Sequence, residues 1–128
     1  MSSKEKLIIE FRDQLIKFLD ELIDQFPSES QFIIIRILVK DQILIEDVLG
    51  QFIKDILPEK NNIKQRKDTF FTDNKFLKTK NGSLFKTVWE CPQLDKEDRE
   101  IIWKWIDLFV YLGEQYYDQY GFIKGWEN

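Results

Sequence analysis

Residues 101–112, IIWKWIDLFVYL, hold ten apolar side chains interrupted by Lys104 and Asp107. The two charges make the run too short and too interrupted for a membrane span, which needs roughly 18–20 apolar residues in a row. The surrounding pattern is helical: the polar or part-polar positions 104, 107, 111, 114 and 118 recur at steps of three and four, which traces one narrow stripe on a 3.6-residue period. The rest of the circumference carries Ile101, Ile102, Trp103, Trp105, Ile106, Leu108, Phe109, Val110 and Leu112. A helix apolar around most of its girth has to be covered on several sides, either by its own domain or by a second chain. That requirement predicts an all-α, compact bundle with this helix near its centre.

The neighbouring segments supply the covering. Between Lys4 and Phe26 the apolar positions 8, 11, 15, 18, 22 and 26, with Leu7, Leu19 and Ile23 beside them, mark an amphipathic helix that Pro27 ends. Ser28-Glu29-Ser30-Gln31 has the form of a capping box with Ser28 as N-cap, opening a short buried helix over FIIIRILV, residues 32–39. Positions 45, 48, 49, 52, 53, 56 and 57 continue the helical pattern from Asp41 to Leu57, and Gly50 inside it implies a close approach of another group. Pro58 opens a further short helix to about Lys67, and Asn81-Gly82 marks a turn. Phe76-Leu77 and Leu84-Phe85 around that turn are compatible with a hairpin, but the favoured reading is a loop leading into a helix at 84–90. Asp95 caps the closing helix, Glu97 and Asp98 favour the positive end of its dipole, and Gly121 stops it near Tyr120. The tail FIKGWEN folds back. The expectation is one domain spanning residues 1–128, with four main helices and two or three short ones.

Composition narrows the function classes. The chain has no histidine, the commonest general base and zinc ligand, and its single cysteine, Cys91, has no internal disulfide partner. With no imidazole to activate it, Cys91 reads as a structural thiol. The carboxylates Asp20/Asp24 and Asp95/Glu97/Asp98/Glu100 read as solvated or dipole-facing helix acids rather than a catalytic or cation-binding set. No glycine-rich phosphate loop, Cys-x-x-Cys pair or nucleophile elbow is present. No catalytic, metal or cofactor-binding residue is assigned, and the chain reads as a non-enzyme. The opening MSSKEKLIIEFRD is not patterned as a signal peptide, and together with the lone cysteine this suggests a cytoplasmic protein.

Two binding surfaces are candidates. The first is a protein-binding face built on the aromatics Trp103, Trp105 and Phe109, with Phe70 and Phe71, because Trp and other large rings anchor interfaces. The second follows the charge distribution: residues 1–53 carry 6 basic and 10 acidic side chains, 54–86 carry 9 and 4, and 87–128 carry 4 and 9. Segment 54–86, with Lys64, Arg66, Lys67, Lys78 and Lys80 around Phe70 and Phe71, has the alternation of cations and rings that single-stranded nucleic acid uses. The overall charge of −4 and the acidic flanks favour internal pairing of that segment instead.

The stretches ILPEKNNIKQRKDTFFTDN (56–74) and EIIWKWIDLFVYLGEQY (100–116) carry a resemblance. An acidic amphipathic helix with a proline break, a Leu-Pro followed by a charged segment ending in two phenylalanines, and a closing helix with Ile-Trp-Lys resemble small helical proteins of nucleocytoplasmic large DNA viruses. The resemblance implies no activity and no site residue. The reading as a whole is a protein-binding module that self-associates or serves as a small adaptor or virion-associated component, in the host cytoplasm or the virion; the acidic charge balance disfavours nucleic acid and the lack of a long apolar run disfavours a membrane.

Overall fold

A computed structural model describes residues 2–42, 44–73, 78–79, 82–83, 86 and 89–127. The chain is all-α. Its long members are α1 (Ser3–Gln25) and α6 (Lys96–Tyr120); between them lie α2 (Ser30–Ile37), α3 (Ile45–Gln51), α4 (Lys60–Lys64) and α5 (Thr69–Asp73). Two of these helices run on into wider turns. α2 continues as a π-helical turn over Leu38–Gln42, and α3 continues as a π-helical turn over Phe52–Ile56 and a 3-10 turn over Leu57–Glu59.

α1 begins where the Ser2 hydroxyl accepts from the Glu5 amide, and it ends at Phe26, before Pro27. α6 has the start and stop its sequence predicts. The Asp95 carboxylate accepts from the Asp98 amide at 2.7 Å, the Asp98 carboxylate accepts from the Asp95 amide at 3.2 Å, and Gly121 closes the helix with φ +74°. That reciprocal cap satisfies two amides that would otherwise have no intrahelical partner.

α1 and α6 pack antiparallel: the Ser3 hydroxyl meets the Tyr120 hydroxyl at one end, and Trp105 Nε1 donates to Glu21 Oε2 at 2.7 Å toward the other. Between them the α1 stripe Ile8, Phe11, Leu15, Phe18, Leu19 and Leu22 meets Ile106, Phe109, Val110 and Tyr116, all buried. Phe109 lies within 5.7 Å of Phe11 and 5.5 Å of Phe18, centroid to centroid, in the inclined geometry that suits ring quadrupoles. Phe52, on the π turn, joins this cluster against Phe11 and Phe109. It reaches them because Gly113 leaves a notch in α6; a Cβ there would stand 3.3 Å from the Phe52 ring.

Four expectations need correction. The capping box at Ser28 does not form: the Glu29 amide bonds the Phe26 carbonyl, making a tight turn around Pro27-Ser28, and the helix starts at Ser30 with no side-chain cap. The helix expected to be buried over 32–39 is largely exposed, with only Phe32 and Val39 in the core. The segment Asp41 to Leu57 is not one helix, because it breaks before Ile45 and changes pitch at Phe52. Finally, Lys78–Thr79 and Gly82–Ser83 form a two-residue antiparallel ladder, Lys78 opposite Ser83 and Thr79 opposite Gly82, where a loop was favoured. Of the helix expected at 84–90, residues 84, 85, 87 and 88 lie outside the described residues, whereas Lys86 and Trp89 are helical.

Two other readings hold. The tail folds back, and Gly50 is in close contact: the Trp126 ring covers it, 2.4 Å from where a Cβ would sit, and Trp126 Nε1 donates to Asp47 at 3.1 Å.

Candidate partner-binding surface

The five aromatics expected to meet a partner divide into two clusters. Trp103, Phe70 and Phe71 come together with Trp89, a residue the sequence reading did not single out. The Phe71 and Trp89 rings stack at 4.1 Å, and Trp103 lies 4.7 Å from Phe71 and 5.3 Å from Trp89. All four are buried. Arg66 lies over Trp103 and Arg99 over Trp89, each guanidinium 5.5 Å from the ring centroid, so cations cover the outside of the cluster. Phe109 and Trp105 belong to the other cluster, around Phe18. Phe109 is buried and Trp105 is half-buried, its indole N–H taken by Glu21. In the folded subunit, therefore, Trp105 is the one of the five with appreciable solvent contact.

The basic segment is engaged with the acids of α6, as its charge balance suggests. Arg66 sits at the left-handed position just past α4, φ +53°. The Lys67 amide reaches the Asn62 carbonyl and the Arg66 amide reaches Ile63, the bonding pattern that normally places glycine there. The non-glycine backbone cost is offset by a two-pronged contact: Nη1 and Nη2 donate to the two Asp107 oxygens at 2.8 Å each, and Nη2 also approaches Glu100 at 3.4 Å. The hydrogen bond to Asp107 outweighs partial burial, and the guanidinium is held above its ordinary pKa. Lys60 pairs with Glu114 at 2.7 Å. Lys64 and Lys67 remain exposed; the side chains of Lys78 and Lys80 lie outside the described residues.

Four of the six carboxylates have structural partners. Asp20 binds Arg36, Asp95 and Asp98 form the α6 cap, and Glu100 faces Arg66. Among the described residues no group of three or more Asp, Glu, Cys or His side chains is placed to hold a metal ion, and no helix is long and apolar enough to cross a membrane. Cys91 is a free, half-buried thiol.

Exposed apolar side chains lie outside these clusters, on α6 at Ile101, Tyr111, Tyr117 and Tyr120 and in a second group around α2. Ile33, Ile34 and Ile37 on α2 are 42, 50 and 46 % exposed, Leu44 just beyond the π turn is 69 % exposed, and Ile9 on α1 is 40 % exposed. α2 runs antiparallel to α1: Arg36 pairs with Asp20, and Arg12 donates to the Lys40 carbonyl at 3.0 Å. Arg12 is one turn from Ile9, so Ile9 sits beside the end of α2 that leads to Leu44. Together these side chains put on the order of 400 Å² of apolar surface in water, the size of the largest patch that a typical monomer keeps. The signal was present in the sequence. Phe32, Ile33, Ile34 and Ile35 are consecutive, and at about 100° per residue four neighbours cover every side of a helix. α1 can bury one side; the rest faces outward.

Comparison with protein-family models, curated proteins and solved structures finds no match.

Proposed function

We propose that the protein is a non-enzymatic protein-binding module and that the outer face of α2 is its binding surface. The observation that carries this reading is the exposure of Ile33, Ile34 and Ile37 side by side on one helix, while every described tryptophan and phenylalanine is buried or half-buried. Leaving these three isoleucines about half exposed forgoes roughly half of the ~1.5–3 kcal/mol that full burial gives each side chain, and a partner recovers it. On the resemblance to large-DNA-virus proteins, we further propose a partner from the virion or the infected cell. Binding of single-stranded nucleic acid has less support, because Arg66 and Lys60 are committed to α6.

The test is affinity capture from the native cell with the intact chain and with Ile34→Lys/Ile37→Lys. The wild type is expected to retain a stoichiometric protein, whether a different chain or its own second copy, and the variant to lose it at an unchanged melting temperature. Equal capture by both would remove α2 from the reading.

A further inference from the structure

We infer that Gly50 and Asp47 of α3 form an indole-binding slot whose resident occupant is Trp126, and that Trp126 is a releasable catch that yields the slot to a tryptophan side chain of a protein partner. The slot is a site apart from the isoleucine face of α2 and stands or falls without it.

The slot fits one kind of side chain. A Cβ on Gly50 would stand 2.4 Å from Trp126 Cδ1, 2.6 Å from Cγ and 3.0 Å from Nε1. The five-membered ring therefore lies against bare backbone, an approach that only a residue without a Cβ allows. One turn back on α3, the Asp47 carboxylate accepts from Trp126 Nε1 at 3.1 Å. A flat ring against the glycine with an N–H at its edge describes an indole. A phenyl ring would cover the same floor and leave the carboxylate to water.

The way the ring is held makes it releasable. Within residues 122–127 the Trp126 amide donates to the Ile123 carbonyl at 2.9 Å, and the Gly125 amide donates to the Glu127 carboxylate at 2.8 Å. Both bonds are local, and among the described residues no backbone hydrogen bond ties this segment to another element. Ile123 is its buried anchor, whereas Trp126 is half-buried. Gly125, between anchor and ring, has φ +92°, and a Cβ there would meet nothing within 4 Å. Glycine at this position supplies backbone freedom rather than room, which makes it a joint. Asp47 is exposed, so water takes over both halves of the hydrogen bond when the ring swings out. Few buried contacts and a solvent-exposed hydrogen bond mark a segment that opens without global unfolding. The tether gives Trp126 a high effective concentration at the slot. A free indole is thereby kept out, and one held by further contacts of a partner can displace it.

The probe is N-acetyl-tryptophanamide, added to the wild type and to Trp126→Ala and followed by amide chemical shifts. In Trp126→Ala the Asp47 and Gly50 signals should move together with a Kd on the order of 1 mM. The wild type should need at least about tenfold more probe for the same shift. N-acetyl-phenylalaninamide should bind Trp126→Ala several-fold more weakly, and adding Asp47→Ala should abolish that preference. No shift at Asp47 and Gly50 in Trp126→Ala, equal binding by the wild type, or equal binding of the two probes overturns the slot. Hydrogen exchange of the wild-type Trp126 indole N–H decides the catch even where Trp126→Ala fails to fold. Corrected for intrinsic rates, it should exchange on the order of 100-fold faster than the slowest amides of α1 and α6; exchange at their rate overturns the catch.

Discussion

α6 and α2 are both rich in apolar residues, and the fold treats them in opposite ways. On α6 the tryptophan and phenylalanine rings turn inward, and the water-facing stripe holds Lys104, Asp107 and Tyr111. On α2, Ile33, Ile34 and Ile37 form the solvent face, while Ile35 packs against the core. The difference lies in neighbours rather than hydrophobicity. α6 is flanked by α1, by the Phe52 turn, by α4 and by the Phe70–Phe71 pair, whereas α2 has α1 along one side. An apolar side chain is buried only where another element arrives to cover it.

The sharpest way to break this contrast is to truncate one residue in each region. Phe109→Ala should cost about 3–5 kcal/mol, because the ring touches three other buried rings, and the loss would appear as a large drop in denaturation midpoint. Next in size is Gly50→Val, which needs the space the Trp126 ring occupies. It should release the tail at a cost of about 1–3 kcal/mol and expose the Trp126 indole to a fluorescence quencher. Arg66 tests the charged cover of the aromatic cluster. Arg66→Ala should lose up to about 1 kcal/mol and keep the backbone cost, while Arg66→Gly should lose less because glycine adopts the left-handed position freely. Because the folded-state pKa of Arg66 is raised, its contribution is fully present below the ordinary arginine range and is lost only as pH climbs through the raised value. The melting-temperature difference between wild type and Arg66→Ala should therefore show no titration of this group from neutral to mildly alkaline pH. Smallest of all, Ile34→Ser should move stability by no more than about 0.5 kcal/mol in the dilute chain. A drop as large as that of Phe109→Ala would erase the distinction between the two helices.

Much of the architecture could be read from local chemistry. Pro27, Asp95 and Gly121 act on the residues next to them, so the end of α1 and both ends of α6 were legible. Gly50 and the returning tail were legible separately, as a small residue and a pair of aromatics, although their contact was not. The start of α2 was misread because the same four residues can make a capping box or a tight turn, and Pro27 favoured the turn. That four of the five aromatics named as a binding face are buried has a deeper reason. Large rings draw attention as interface anchors, but they are also the side chains that gain most from the core, and which outcome prevails depends on segments distant in the chain. Trp89, two residues before the Cys91-Pro92 break, carried no periodic signal of its membership in the Trp103 cluster.

The π turn over Phe52–Ile56 carries one residue more than an α-helical turn would use; the Leu57 amide reaches back to Phe52 rather than Ile53. That surplus works as a phase shifter. Deleting one residue there would restore ordinary pitch and rotate everything downstream by about a quarter turn, carrying Pro58, Lys60 and Arg66 away from the acids of α6. The ionic seam between the middle of the chain and its closing helix is thus timed by a local change of gear some ten residues upstream.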